Sequence, residues 1–331
     1  MNQSAPIYNL EGKRIWVAGH DGLLGSALMR RLQLLECTLL TASRHDLDLT
    51  RQKEVEEWVE QKKPQAVFLV AAKVGGIVAN MSKPVDFLFD NLAIASNVIH
   101  AAAAMGVEKL LFLGSACIYP KFAEQPISED ALLTGPLEPT NEWYAVAKIA
   151  GLKLCQAYRQ QQGCDFISAM PTNLYGPGDN FDLNTSHVIP ALLRKAHEAT
   201  ISGDPELLIW GSGSPRREFL HSDDTADALV HLMTHYSGEG HVNVGSGTDI
   251  TILELASLIA KVVGFRGSLT TDESKPDGTP RRLLDITKLD SLGWKPKIDL
   301  QAGLTETYRW YVHNFSQGTR ADQGPMPQRI S

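Results

Sequence analysis

Cysteine is scarce in this chain: Cys37, Cys117, Cys155 and Cys164 are the four in 331 residues. None of them forms a CxxC pair, which argues against a disulfide framework. No His/Cys/Asp cluster has ligand spacing, so no metal is expected. A basic excess is missing as well. The 31 Lys and Arg against 38 Asp and Glu leave a net charge of −7, whereas a binder of nucleic-acid backbones needs a basic face. Apolar runs such as 66–72 and 110–117 have only strand length, short of the ~18 residues of a membrane-spanning helix. The opening stretch MNQSAPIYNLEGKRIWVAG has no basic segment followed by an apolar one. No secretory signal and no membrane partner are therefore expected, and the chain is expected in the cytoplasm. Charged residues at 21% and hydrophobic residues at 43% are globular proportions, which excludes global disorder.

What is present is alternation. The stretches 14–18, 38–42, 66–71, 110–114 and 166–170 read as buried strands, and 24–35, 51–62, 84–105 and 140–162 read as helices between them. Strands alternating with helices of this length mean right-handed βαβ units: an α/β fold with a doubly wound parallel sheet, the Rossmann arrangement. At roughly 150 residues per domain the length suggests two units. Residues 1–175 are expected to form the dinucleotide-binding domain and 176–315 mainly a smaller α/β substrate-binding lobe. That lobe is discontinuous, with some segments returning to the first sheet. Past residue 176 helices are legible at 186–199, 222–236, 251–263 and 299–315, with strands near 207–210 and 241–244. Residues 316–331, polar and turn-rich, read as a loose tail.

The first strand runs directly into Gly19-His20-Asp21-Gly22-Leu23-Leu24-Gly25, which opens the first helix. A pyrophosphate needs backbone N–H groups at a helix N-terminus and no Cβ in the way, which three glycines supply. The second strand ends TASR, so Arg44 stands where a cation would accept the 2′-phosphate of NADP(H) and an acid would mark NAD. Tyr144 and Lys148 lie four residues apart on one helix face. An ammonium beside a tyrosine is expected to lower its pKa from ~10 toward a useful range. Ser115, closing a neighbouring strand 29 residues earlier, supplies a hydroxyl able to hold a reacting carbonyl.

Together these residues resemble the extended branch of the short-chain dehydrogenase/reductase superfamily, which works on nucleotide sugars. The segments AAKVGGIVAN (71–80), LGSACIYP (113–120), EPTNEWYAVAKIAGLKLC (138–155), MPTNLYGPGDNF (170–181), SHVIPALLRK (186–195), WGSGSPRREFLH (210–221) and KPDGTPRRLLD (275–285) are similar to the family of GDP-L-fucose synthases over about residues 12–312. The resemblance implies epimerisation of GDP-4-keto-6-deoxy-D-mannose at C3 and C5, then reduction of the C4 ketone by NADPH. It implies that Ser115 and Tyr144 stabilise the enolate oxygen. Cys117 would be the base, His187 the acid on the opposite face, and Lys148 the partner of Tyr144 and of the nicotinamide ribose. Read alone, Cys117 is a buried structural thiol and His187 a helix-start residue.

Cofactor contacts are further implied at Leu113, Gly114, Ser115 and Ala116, at Pro171, Thr172, Asn173 and Leu174, and at His187. Lys195, Trp210, Arg217 and Asp277 would bind the GDP-sugar substrate, with core packing the alternative for Trp210. The resemblance also implies a homodimer. Two departures stand out. Asp21 occupies a position where several members have Arg, and Lys195 one where Arg also occurs. The rival readings are another extended-family epimerase or dehydratase, and a non-catalytic NADP-binding module. A dehydratase would carry an acid where this chain has Ala116 and Cys117.

Overall fold

The computed structural model describes residues 6–275 and 277–315; the expected tail at 316–331 lies outside the described residues. The first half contains β1 (Arg14–Ala18), α1 (Leu23–Leu32), β2 (Thr38–Leu40), α2 (Gln52–Lys62), β3 (Ala66–Leu69), α3 (Ile77–Ser82), α4 (Pro84–Ala104), β4 (Lys109–Leu113), α5 (Glu142–Gln162) and β5 (Asp165–Pro171). Then follow β6 (Asn173–Tyr175), α6 (Val188–Ser202), β7 (Glu206–Trp210), β8 (Arg216–His221), α7 (Ser222–His235) and β9 (Val242–Val244). The chain continues through β10 (Asp249–Thr251), α8 (Ile252–Val263), β11 (Ser268–Asp272), β12 (Arg281–Arg282), α9 (Thr287–Ser291) and α10 (Leu300–Phe315).

Six strands form one parallel sheet in the order β2-β1-β3-β4-β5-β9. Its strands read as apolar runs because both faces are covered. Ile15 and Val17 of β1 pack with Leu24 and Leu28 of α1 and Leu229 of α7. Trp16 and Ala18 face the other way, into a core with Val98 and Ile99 of α4 and Leu152 of α5. A third core, built by α6, α8 and α10 on β7 with Tyr175 and Phe181, belongs to the smaller lobe. β9 joins the large sheet and α7 packs on α1, so part of the second half returns to the first.

The lobe strands β6, β8, β10 and β12 were not legible beforehand. They are two to six residues long and pair with one another across the chain, β8 being central. Such segments become strands through their partners rather than through a pattern of their own. β2 ends at Leu40, two residues early, and Ser43 then closes a turn by accepting the amides of Asp46 and Leu47.

Helix α4 corrects the reading of apolar runs. Among the described residues it is long and apolar enough, by length and composition, to cross a membrane, with a mean hydropathy of 1.3. Asp86 and Asp90 interrupt the run, which hid it from a search for unbroken stretches. Both carboxylates bind Lys73 Nζ, at 2.9 and 2.8 Å. The buried Asn91 holds the Lys73 backbone from the same helix, so α4 anchors the loop that follows β3.

Helix α5 lies unusually close to β4. A Cβ added at Gly151 would stand 2.4 Å from Phe112 Cζ, a separation that no packed pair tolerates. Gly151→Ala is therefore expected to lower stability by about 1–3 kcal/mol, the usual cost of overpacking, measured by urea unfolding. A change below about 0.5 kcal/mol, the range of neutral surface substitutions, would show that the helix is not held at this point.

Candidate active site

The strand order reverses between β1 and β3, and in doubly wound sheets ligands bind at the carboxyl ends of the strands flanking such a switch point. The Gly-rich loop sits there. Gly19 has φ +96°, and a Cβ on it would lie 2.7 Å from the backbone of Ala71, just past β3. A Cβ on Gly25 would lie 1.9 Å from the Gly19 carbonyl oxygen. The loop is thus folded onto itself and onto β3 in a way only glycines permit. The N-cap of α1 is Gly22, and no side chain caps the helix, so its first amides remain for an anion. This cradle fits a dinucleotide diphosphate. Leu24 is buried in the core beneath the loop. His20 Nε2 and Asp21 Oδ1 pair at 2.8 Å. Arg44 is exposed in the turn after β2, close enough to Asp48 to hold that carboxylate electrostatically.

Across the same sheet edge, β4 ends at Leu113 and α5 brings its first two turns over it. Lys148 is 3% exposed and donates from Nζ to the Leu113 carbonyl at 2.8 Å. Its Nζ lies 5.0 Å from the Phe112 ring centroid and 5.7 Å from that of Tyr144. Burial pushes Lys148 down to about 7, with Cys117 pulling the other way. The Tyr144 hydroxyl shares a hydrogen bond with Ser115. The expected lowering of Tyr144 by Lys148 is not what the structure shows. Burial first, then Cys117, raise Tyr144 above its ordinary value, and the bond to Ser115 opposes them. Tyr144 is therefore protonated near neutral pH, as a proton donor must be.

Ser115 starts a short 3₁₀ turn, Ala116–Ile118, accepting the Cys117 amide at 3.3 Å. That turn aims Cys117 toward Tyr144 and Lys148, the two groups on which it acts electrostatically. Asn141 Nδ2 donates to Cys117 Sγ at 3.2 Å. His187 stands at the N-cap of α6 without capping it. Although the residue is exposed, the protein around its ring pushes its pKa below the usual histidine value. Its loop is tied back to the tyrosine in steps. The Gly76 amide donates to Thr185 at 3.1 Å, Gly75 lies against Phe87, and the Phe87 and Tyr144 rings meet edge to face at 6.4 Å. In the segment after β5, Asn173 Nδ2 and Thr172 Oγ1 both donate to the Glu218 carbonyl, joining it to β8.

The residues expected to meet the substrate lie on the smaller lobe. Trp210 is 54% exposed, which removes core packing as its role. Lys195 Nζ and Lys275 Nζ stand 4.8 and 5.5 Å from its ring centroid, and burial lowers the Lys195 pKa. Asp277 holds the Ser212 amide and hydroxyl. Arg217 is pushed down to about 10 by burial and then by the neighbouring Arg282. Arg282, 8% exposed, reaches the Ala116 carbonyl at 3.4 Å and so links this lobe to the turn that carries Cys117. Neither Arg282 nor Asn141 was singled out from the sequence, since a loop arginine reads as solvated and an Asn before a helix reads as a cap.

A dinucleotide cradle and a Ser-Tyr-Lys constellation on one doubly wound sheet define an oxidoreductase-type enzyme working at a carbonyl. The sequence profile of the NAD dependent epimerase/dehydratase family matches residues 15–245, and the chain belongs to that family. It is 61% identical over 311 residues to GDP-L-fucose synthase of Sinorhizobium fredii strain NBRC 101917 / NGR234, covering 94% of this chain and 99% of that one. To GDP-L-fucose synthase of Escherichia coli strain K12 it is 53% identical, over 91% and 97% of the two chains. Among solved structures, a GDP-L-fucose synthetase from Naegleria fowleri bound to NADP superposes with a TM-score of 0.87 at 28% identity, over 95% and 98% of the chains.

The buried Lys148 carries a pH signature. Its ordinary pKa of 10.5 falls to about 7 in the fold, so between those values the unfolded chain binds a proton that the folded chain does not, and stability rises with pH. Relative to Lys148→Met, the wild-type protein without ligands is expected to gain about 2–3 kcal/mol from pH 6 to pH 9, read from urea midpoints. Parallel curves for the two proteins would mean that Lys148 is not charged at a cost.

Proposed function

We propose that the protein converts GDP-4-keto-6-deoxy-D-mannose to GDP-L-fucose, by epimerisation at C3 and C5 followed by NADPH-dependent reduction at C4. The observation that carries this reading is the gathering of a thiol, a Ser–Tyr hydroxyl pair and a buried lysine around the end of β4. Reduction alone needs only the Ser, Tyr and Lys; the thiol adds a group able to move a proton at carbon. The names of the relatives agree with it, and the cradle at Gly19, Gly22 and Gly25 fits the cofactor.

The N–H groups of α1 would hold the cofactor diphosphate and Arg44 its 2′-phosphate, while Lys148, Asn173 and the 113–116 and 171–174 segments would hold the nicotinamide end. When bound, NADPH supplies the hydride. Cys117 as thiolate removes the proton from the carbon beside the ketone. The electron pair moves onto the ketone oxygen, where the Ser115 and Tyr144 hydroxyls hold the charge. His187, neutral at pH 7 until it takes a proton from solvent, returns a proton to the opposite face. Tyr144, kept protonated by burial, gives its proton to the C4 oxygen in the reduction, and Lys148 lies beside it in the same pocket. Arg217 and Lys195 supply charge for the diphosphate of the sugar nucleotide, and Trp210 an apolar face for its base.

The same reading makes the enzyme a cytoplasmic homodimer with no nucleic-acid or membrane partner. What supports the dimer is the exposure of large apolar side chains on two helices that pack together, Val85 and Phe89 on α4 and Trp143 and Val146 on α5. The net charge of −7 supports the absence of nucleic acid.

Turnover of the keto sugar with NADPH, product resolved by chromatography, tests the reading. Cys117→Ser should yield no GDP-L-fucose while still binding NADPH, and unchanged product would remove Cys117 from the scheme. Tyr144→Phe should slow C4 reduction by roughly 10²-fold or more; near-wild-type turnover would remove Tyr144 as donor.

A further inference from the structure

Asn141 is the N-cap residue of α5, where an Asn side chain ordinarily accepts an amide of the first turn. It does not do so here: its backbone is at φ −139°, ψ 19° and no side-chain cap bond forms. Its amide turns toward the site instead and donates to Cys117 Sγ at 3.2 Å. Oδ1 is left buried without a partner, an arrangement that costs stability at a position where a cap would have contributed it. The backbone around it is fixed. The Asn141 amide donates to the Glu138 carbonyl, and the Glu138 carboxylate is anchored by Lys121 and Thr279 from two other segments. From the other side, Cys117 is fixed through its own amide on Ser115 Oγ.

We propose that Asn141 is the positioning residue of Cys117: its amide holds the sulfur against the reacting carbon and stabilises the thiolate by donating a hydrogen bond to it. The inference rests on the functional reading that Cys117 moves a proton. A hydrogen bond to an ionised acceptor is roughly twice as strong as a neutral one, so the N–H groups of Asn141 favour thiolate over thiol. The proton balance is simple. The thiolate takes the C–H proton and becomes a thiol, the carbon's electron pair moves onto the ketone oxygen, and the thiol then releases that proton to solvent before the next cycle. The helix start forgoes its cap so that this amide can serve the sulfur.

The test measures the thiolate without turnover. Alkylation of Cys117 by iodoacetamide is followed against pH, with Cys117→Ser subtracting the other three cysteines, and sugar C–H exchange is measured alongside. Asn141→Ala is expected to alkylate about tenfold more slowly at pH 7, with its pH profile displaced upward by about one unit. C–H exchange should slow in parallel while NADPH affinity stays the same. Asn141→Asp keeps the shape and restores a good helix cap, so it guards against a folding defect. Its carboxylate has no N–H to give the sulfur and adds a negative charge near it, so it should displace the profile at least as far. Wild-type alkylation profiles in both variants would overturn the role of Asn141 and leave that of Cys117 standing. Undiminished exchange in Cys117→Ser would overturn the functional reading beneath it.

Discussion

The site depends on how closely α5 approaches the end of β4. With no side chain at Gly151, the helix settles against the Phe112 ring, which sets the height at which Lys148 meets the Leu113 carbonyl and Tyr144 meets Ser115. An ammonium with one carbonyl and two aromatic rings for company is expensive to keep charged, and its pKa falls to about 7. The same enclosure keeps the tyrosine protonated. Packing at one glycine thus sets the protonation of the Tyr144–Lys148 pair.

Around this fixed pair the other candidate groups sit on loops. The turn after β4 presents Cys117, the loop after β3 carries the Gly75–Gly76 pair, and the loop before α6 ends at His187. Each is braced against a helix or the smaller lobe: Lys73 against Asp86 and Asp90 of α4, Gly76 against Thr185, Ala116 against Arg282. Function sits on loops held by a rigid frame, as is common where several groups must converge on one small substrate.

How much of this could be read beforehand follows from whether a feature is local. The loop 19–25 and the Tyr144–Lys148 pair are legible because a helix start and an i,i+4 face are set by spacing alone. The parallel strands are legible because burial on both faces writes apolar runs. What escaped is made by tertiary contact: β8 and its short partners, which are strands only when paired, and Arg282, whose burial depends on the lobe closing over it. The tyrosine shift was read with the wrong sign because a neighbouring cation was weighed without the burial that comes with it. Asn141 was hidden by its own plausibility as a cap.

The proposed function requires one site to perform both proton exchange at carbon and reduction at a neighbouring ketone. The measurement closest to it runs the protein with NADPH and GDP-4-keto-6-deoxy-D-mannose in D₂O, following NADPH absorbance and locating deuterium in the sugar by NMR. NADPH should be consumed and the product should carry deuterium at both C3 and C5. Consumption of NADPH with no label at either carbon would contradict it, leaving a plain ketoreductase in which Cys117 and His187 have no part in the chemistry.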